Sequence, residues 1–381
     1  MSLRSNSRSP IGATRVLATG VVATLLVALF VFSPSANARD VRSDSNAAVA
    51  PLFANDSLMT VTIEAPLTTL MRDLPDEEYL VGKFSFPRDD GTEQTVDLKV
   101  RTRGEYRRQK KHCDFAPIRL NFRTEQLEDT VLAGQDKLKM VTHCRTKRKR
   151  EYEQLVLREF LAYRILNAMT EKSFGVRLWQ INYIDTEGGE PMTRLGFVIE
   201  DDDAVAARNG MVSVKTGDIS SDDLDRRQQN LVHVFQYMIG NTEYSLFKAE
   251  PDDDCCHNID LMSANAAAPF TPLAYDFDFA GIVNAHYAQP NPRYKLRNVR
   301  QRLYKGRCKN NELLPDTVQL IIDSKEAIYS LVRELEGLSP KSRRGVVRYL
   351  NSFYDQVSRP KYVNKKFVRK CSEPPKSRQA E

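Results

Sequence analysis

The chain has 381 residues, with 56 Lys+Arg against 50 Asp+Glu and a formal net charge of +6. Hydrophobic residues make up 41% and charged residues 28%, which is ordinary for a globular protein. This composition excludes a multi-span membrane protein, a collagen-like fibre and a wholly disordered chain.

The N-terminus has the pattern of a cleavable secretory signal. Three arginines and no acid precede an apolar run over residues 16–32, and an Ala-x-Ala site ends at Ala38. We expect cleavage after Ala38 and an exported protein, periplasmic or extracellular; an uncleaved anchor helix is the alternative, and it would make this segment the one contact with a membrane. Removing residues 1–38 lowers the formal charge from +6 to +3, which argues against nucleic acid as a partner.

The next part of the chain predicts a β-rich region. Residues 39–57 are polar and Ala-rich and predict a flexible leader. Alternation of apolar and polar residues then predicts strands over 59–64, 79–86, 95–103, 117–122 and 137–141. The Asp-Asp-Gly sequence at 89–91 is a hairpin turn signal between the second and third of them.

The pattern changes to helical spacing near residue 149. Helices are predicted over 149–169, 226–239, near 315–336 and over 340–357, with strands over 176–184 and 194–200. Gly240 is the C-cap expected after the second helix, and the basic tail 361–381 is expected to be loose. These elements predict an α+β protein with an antiparallel β-rich lobe over 58–200, which contains one long helix, and a mostly helical lobe over 201–360.

Six cysteines form an even set, which in an exported chain predicts disulfides. Cys113 and Cys144 flank strands of the same predicted lobe and are the favoured pair, and Cys255 or Cys256 with Cys308 is the second prediction. Histidines beside several cysteines make zinc the alternative. Adjacent Cys–His pairs lack the usual C-x₂₋₄-C spacing, so disulfides are preferred.

Two aspartates mark the strongest candidate for a reaction centre. Asp276 and Asp278 follow an apolar stretch and lie two residues apart, so in an extended segment both would face the same side. Buried paired carboxylates need a cation or a proton, which favours a metal over the alternative of a solvated acidic turn. Glu243, Asn258 and Asp276 are the residue types that phosphoryl transfer uses to orient the acceptor hydroxyl and to hold Mg²⁺. The sequence contains no Walker A glycine loop, which excludes the P-loop class.

Several motifs together resemble the CotH-like family of atypical, secreted protein kinases, and most closely a bacterial branch of exported proteins. They are RTRG at 101–104, REFLAYR at 158–164, SFGVRL at 173–178, IGNTE at 239–243, CCHN at 255–258, YDFDFAG at 275–281 and RLYKGRC at 302–308. The resemblance covers roughly residues 58–357. It implies a two-lobed protein-kinase-like fold, with the metal and phosphate site in the lobe over 201–360.

The resemblance also implies Mg²⁺ and ATP as cofactors. Asn258 and Asp276 would hold the metal, with Asp278 as a supporting or second-metal group. Glu243 takes the catalytic position in a loop where the family has Gly-Asn-Thr-Asp, and Asn241 and His257 accompany it; His257 would act either as a base or as a positioning residue.

The phosphate clamp that the resemblance implies is a cation on a strand, fixed by a glutamate on a helix. Lys139 and Arg119 both lie on predicted strands, with Arg103 nearby. The glutamate would be Glu159 by resemblance, whereas Glu153 shares the apolar face of the same predicted helix.

Two functions remain as hypotheses. The first is Mg-nucleotide-dependent phosphoryl transfer to a hydroxyl of a protein or glycan. The second is a catalytically inactive protein of the same scaffold, which would serve as a binding or structural component of the cell envelope. The basic run at 145–150 is interpreted as a solvated helix start, with an anionic lipid or glycan surface as the alternative.

Overall fold

The structure is a computed structural model that describes residues 48–88, 90–249 and 254–373. The predicted signal, residues 39–47 of the predicted leader, Asp89 of the turn signal and the last residues of the basic tail lie outside the described residues. Within the described ranges, no helix is long and apolar enough to cross a membrane.

Seven strands close into a barrel. They are β1 (Met59–Ala65), β2 (Leu80–Pro87), β3 (Glu93–Thr102), β4 (Ile118–Phe122), β5 (Lys137–Val141), β6 (Val176–Asp185) and β7 (Met192–Ile199). Their order around the barrel is β1-β2-β3-β4-β5-β7-β6. The strands β1 and β6 pair in parallel, with Met59 opposite Trp179, and the other neighbours pair antiparallel.

Period-two alternation explains how the barrel is filled. In β4, Ile118, Leu120 and Phe122 are buried, whereas the residues between them are only half-buried. The ring of Phe84 packs 5.2 Å from that of Phe122 and 5.5 Å from that of Trp179. Large side chains therefore pack into one core inside the barrel.

The closed barrel shows that the predicted two-lobed, protein-kinase-like fold is wrong. The seven strands themselves lie within two residues of their predicted bounds. What differs is their pairing, because β6 returns to β1 and turns the expected β-rich lobe into a barrel. Strand periodicity reports which residues face inward and carries no information about this long-range parallel contact.

Helices and a small sheet form a second packed layer. The helices are α1 (Pro51–Ala54), α2 (Leu67–Asp73), α3 (Lys149–Asn167), α4 (Asp202–Arg208), α5 (Arg226–Ile239), α6 (Leu314–Asp323), α7 (Lys325–Glu334), α8 (Pro340–Val357) and α9 (Pro360–Lys366). The strands β8 (Val212–Val214), β9 (Ile259–Ser263) and β10 (Thr271–Ala274) form an antiparallel sheet with β9 in the middle. The helix α3 packs against β6 and β7, so it joins the barrel to the second core.

The helix α5 positions the loop that follows it. It begins after Asp225, whose side chain accepts a hydrogen bond from the Gln228 N–H, and it ends at Gly240 in the left-handed conformation with φ of +71°. Its bounds and its C-cap are as predicted. The expectation of a loose tail is wrong for the described part, since α9 lies there and Cys371 bonds to Cys308.

The six cysteines form three disulfides. The predicted pair Cys113–Cys144 is confirmed. The predicted link to Cys308 is wrong, because Cys255 and Cys256 bond to each other and Cys308 bonds to Cys371. Since every thiol is used in this way, the zinc alternative loses its sulfur ligands.

Candidate functional site

A charged cavity lies where the loop after β3, strand β5, helix α3 and the segment after β10 meet. It is lined by Arg103, Arg107, Lys139, Val141, Glu159, Tyr163, Phe174, Ile199, Tyr275 and Asp276. Its enclosed space is about 10 Å³, which is room for about one water molecule. Four residues predicted from the sequence, Arg103, Lys139, Glu159 and Asp276, therefore border one cavity.

Arg107 is the centre of the charge network and is not among the residues predicted from the sequence. The residue is only 9% exposed. Its Nη1 and Nη2 donate to the Glu159 carboxylate at 3.2 and 3.5 Å. Its Nε lies 3.4 Å from Asp278 Oδ2, and its Nη2 lies 3.7 Å from Asp276 Oδ1. One buried guanidinium thus faces three carboxylates.

The loop between β3 and β4 holds Arg107 in place. Tyr106 stacks on the ring of His112 at 3.8 Å, and its hydroxyl donates to the Tyr287 carbonyl at 3.2 Å. The Cys113–Cys144 disulfide ties the same loop to the chain just after β5. The one sequence signal for Arg107 was its position between the RTRG motif and Cys113, which three neighbouring cations share.

Asp276 and Asp278 both reach Arg107, although their segment is not an extended strand. Asp276 has a left-handed φ of +55°, and its N–H donates to the Tyr163 hydroxyl at 2.9 Å. Asp276 Oδ1 is buried without a hydrogen-bond partner. Asp278 is 4% exposed and accepts a hydrogen bond from the Tyr287 hydroxyl at 3.0 Å.

Burial and mutual repulsion make the carboxyl groups of the site compete for protons. Burial raises the pKa of Glu159 to about 7 despite the opposing effect of Arg107. Burial and the Asp276 charge raise the pKa of Asp278 well above its usual value. The same two causes raise the pKa of Glu243 to about 7. Burial alone would lower the pKa of Arg107, but Glu159 and Asp278 raise it well above its usual value, which keeps the guanidinium charged.

The structure also brings Asn241, Glu243 and Asn258 together. The Asn241 side-chain oxygen accepts a hydrogen bond from the Glu243 N–H at 2.9 Å. The Asn258 amide nitrogen donates to the Glu243 carbonyl at 2.8 Å, and the Tyr275 N–H donates to the Asn258 carbonyl at 3.1 Å. The loop after α5 is therefore tied to the segment that carries Asp276.

Two predicted cations have other surroundings than the resemblance implied. Lys139 Nζ lies 3.8 Å from an Asp202 oxygen and 3.9 Å from an Asp260 oxygen. Arg119 is opposite Lys139 in the β4–β5 register and does not line the cavity. Glu159 accordingly takes Arg107 as its cation, and not Lys139 or Arg119.

The two remaining candidates, Glu153 and His257, do not line the cavity. Glu153 accepts a hydrogen bond from the Leu195 N–H at 3.2 Å, which places it against β7. His257 is joined through its backbone to Ser245 and Lys248, in the loop between α5 and β9. The role of His257 stays a prediction.

The donor set at the cavity fits a magnesium ion held mainly by phosphate oxygens. Within the described ranges, Cys308, Cys371 and Glu373 are the one set of three Cys, His, Asp or Glu ligand atoms within 4.8 Å, and its two sulfurs form a disulfide. The carboxylates around Arg107 are therefore no preassembled cage. Asp276 nevertheless offers a buried oxygen without a hydrogen-bond partner, whereas Asn258, the other predicted ligand, does not line the cavity. Mg²⁺ commonly takes one or two protein oxygens together with substrate phosphates.

No protein-family model matches this chain, and no curated protein matches it. The resemblance of its motifs to the CotH-like family therefore stays a hypothesis.

Proposed function

We propose that this site transfers a phosphoryl group from a Mg²⁺-bound nucleotide to a hydroxyl of a protein or glycan. The observation that carries the proposal is Asp276, whose buried Oδ1 lacks a hydrogen-bond partner beside a cavity lined by Arg103, Arg107 and Lys139. Cations neutralise phosphate oxygens, and an acceptor-only carboxylate holds the metal that accompanies them. Both requirements are met within one cavity.

The cations divide into two roles. Arg103 and Lys139 line the cavity and bind phosphate oxygens in this proposal. Arg107 is already committed to Glu159, Asp276 and Asp278, so it orients the two aspartates. When bound, Mg²⁺ supplies a positive charge that draws electron density from the phosphate being transferred.

Glu243 is the general base in this proposal. Its pKa of about 7 is close to the value at which a base works best at neutral pH. Asn241 and Asn258 fix its backbone through hydrogen bonds of 2.9 and 2.8 Å. The acceptor oxygen forms a bond to phosphorus, the bond from phosphorus to the nucleotide oxygen breaks, and the acceptor proton moves to Glu243.

The second candidate function is an inactive protein of the cell envelope, in which the same network is structural. Two observations favour it. Arg107 already lies beside both aspartates, so its single positive charge takes part of the place that a metal cation would have there. The enclosed space of about 10 Å³ holds no nucleotide, so the first proposal requires the cavity to open.

Isothermal titration with ATP and Mg²⁺ separates the two candidates. We expect binding by the wild type, loss of binding in Asp276→Ala, and unchanged binding in Asp136→Ala, which removes an aspartate with a 54% exposed side chain. A wild type that binds no nucleotide would leave the structural role alone. Equal weakening in both variants would show that Asp276 acts only through net charge.

A further inference from the structure

A long segment without acidic residues begins directly after Asp278. Residues 279–311 contain no Asp or Glu and eight cations, which are Arg293, Lys295, Arg297, Arg300, Arg302, Lys305, Arg307 and Lys309. The described structure gives this segment two short 3-10 turns, Pro292–Tyr294 and Cys308–Leu313, and little other regular structure. A run of this kind places a strong positive charge beside the candidate site.

Half of these cations stabilise the fold. Arg302 donates to the carbonyls of Met238 and Tyr349, and Lys305 donates to carbonyls of the loop after α5. Arg307 donates to Ser372 near the Cys308–Cys371 disulfide. Lys309 is held by Ser221 and Asp222. These four are therefore occupied within the molecule.

Three other cations face solvent. Arg293, Lys295 and Arg297 are exposed, and we call them the basic strip. Throughout the part of the chain that the structure describes, none of the three forms an ion pair with a carboxylate. Arg300, also exposed, differs because it donates to the Gly281 carbonyl and stacks on Tyr349. The basic strip is thus positive charge that the fold itself does not use.

A short chain of contacts connects the basic strip to Glu243. The Arg293 guanidinium lies 5.1 Å from the centre of the Tyr294 ring, and Lys305 Nζ lies 5.4 Å from the same centre. Lys305 Nζ donates to the carbonyls of Thr242, at 3.3 Å, and Tyr244, the two residues that flank Glu243. An extended segment of about five residues, at about 3.3 Å per residue, would reach from the strip to that loop.

We propose that the basic strip docks an acidic polypeptide segment and so presents a nearby Ser or Thr hydroxyl to Glu243. This deepens the proposed function by naming the acceptor, and it rests on that function for the transfer step alone, since docking needs no nucleotide. Arginine binds carboxylates through two parallel hydrogen bonds, and arginine clusters recognise acidic motifs. Tyr294 supplies the one aromatic ring of the turn Pro292–Tyr294, and Arg293 and Lys305 lie over that ring. The ring is therefore not open for a sugar to stack on it, so a peptide fits this surface better than a glycan.

Fluorescence anisotropy without nucleotide tests the docking. The probe is a labelled peptide with a block of glutamates about five residues from a serine. The strip variant is Arg293→Gln/Lys295→Gln/Arg297→Gln, and the matched control is Lys361→Gln/Lys365→Gln/Lys366→Gln, which removes the same charge from exposed positions on α9. We expect about tenfold weaker binding in the strip variant, little change in the control, and weaker binding by the wild type as salt is added.

Three outcomes would overturn the proposal: no peptide binding by the wild type, equal weakening by both triple variants, or tighter strip-dependent binding of an anionic glycan of equal charge. An unchanged unfolding midpoint verifies that each variant is folded, and Arg297→Gln alone serves if the triple variant is not. Peptide that binds at the strip without becoming phosphorylated in the presence of ATP and Mg²⁺ would refute the transfer and leave the docking supported.

Discussion

Removal of Arg107 is expected to destabilise the fold strongly. The variant Arg107→Met keeps much of the side-chain volume but leaves Glu159, Asp276 and Asp278 without their shared cation. Glu159 and Asp278 are only 2% and 4% exposed, so neither carboxylate regains water when the guanidinium is lost. Breaking a buried ion pair by removing one partner costs about 3–5 kcal/mol, and we expect a loss of unfolding free energy in that range.

A surface ion pair provides the matched control. Lys83 and Asp97 lie 2.6 Å apart, with side chains 55% and 40% exposed. The variant Lys83→Met removes an equal charge, but exposed pairs contribute only about 0.2–1 kcal/mol. Urea titration at neutral pH with a chelator present gives the free energy of unfolding for the wild type and both variants. Arg107→Lys should fall between them, because it restores the charge without the forked geometry that Glu159 contacts.

The result that refutes this reasoning is a loss in Arg107→Met no larger than that in Lys83→Met. Such a result would mean that the carboxyl groups are accommodated without the guanidinium. The network would then consist of protonated acids linked by hydrogen bonds, and Arg107 could not be what orients Asp276 and Asp278.

Two further predictions concern His233 in α5 and Gly240, the C-cap of that helix. His233 is 1% exposed, and its burial, with smaller effects of Lys305 and Arg307, lowers its pKa from 6.5 to about 3. Between pH 6.5 and about 3 the unfolded chain therefore binds more protons at this histidine than the folded chain does. Lowering the pH from 7 to 5 should thus reduce the free energy of unfolding by about 2 kcal/mol through this group. Across that range the urea midpoint should depend less on pH in His233→Gln than in the wild type. An identical profile in the two proteins would contradict the assignment of this pH dependence to His233. Gly240→Ala should lower the unfolding free energy by about 1–3 kcal/mol beyond Gly210→Ala, since both have positive φ but only at Gly240 would a Cβ meet the Tyr349 hydroxyl.

Local patterns predicted the elements of the fold but not its closure. The seven strands and α5 follow from apolar periodicity and, for α5, from Gly240 as a C-cap, both of which are encoded within a few residues. The parallel contact between Met59 and Trp179 joins segments far apart in sequence. A strand buried on its inner face has the same period in an open lobe as in a barrel, so periodicity could not distinguish the two.

The residue types of the candidate site were predictable from the sequence, but their ion-pair partners were predictable only in part. Asp276 stood out because paired carboxylates after an apolar stretch need compensation, whereas Glu159 was expected only from the resemblance. Arg107 did not, because Arg108 beside it has the same charge and differs only in where it points: Arg107 is buried, whereas Arg108 pairs with Asp76. Glu159 was expected to pair with Lys139 or Arg119, but Lys139 lies beside Asp202 and Asp260, and Glu159 pairs with Arg107. Burial and partner choice are properties of the assembled chain.

One covalent bond links the two halves of the cavity lining. Arg107 and Cys113 lie on the loop between β3 and β4, and Cys144 follows β5, which carries Lys139 and Val141 into the same cavity. The Cys113–Cys144 bond therefore limits how far the buried guanidinium can move from the strand that supplies the second cation. Disulfides form and persist under oxidising conditions, so the cavity should have its full geometry only once the chain has met them. An oxidising environment would then be a requirement of the site itself as well as of the fold.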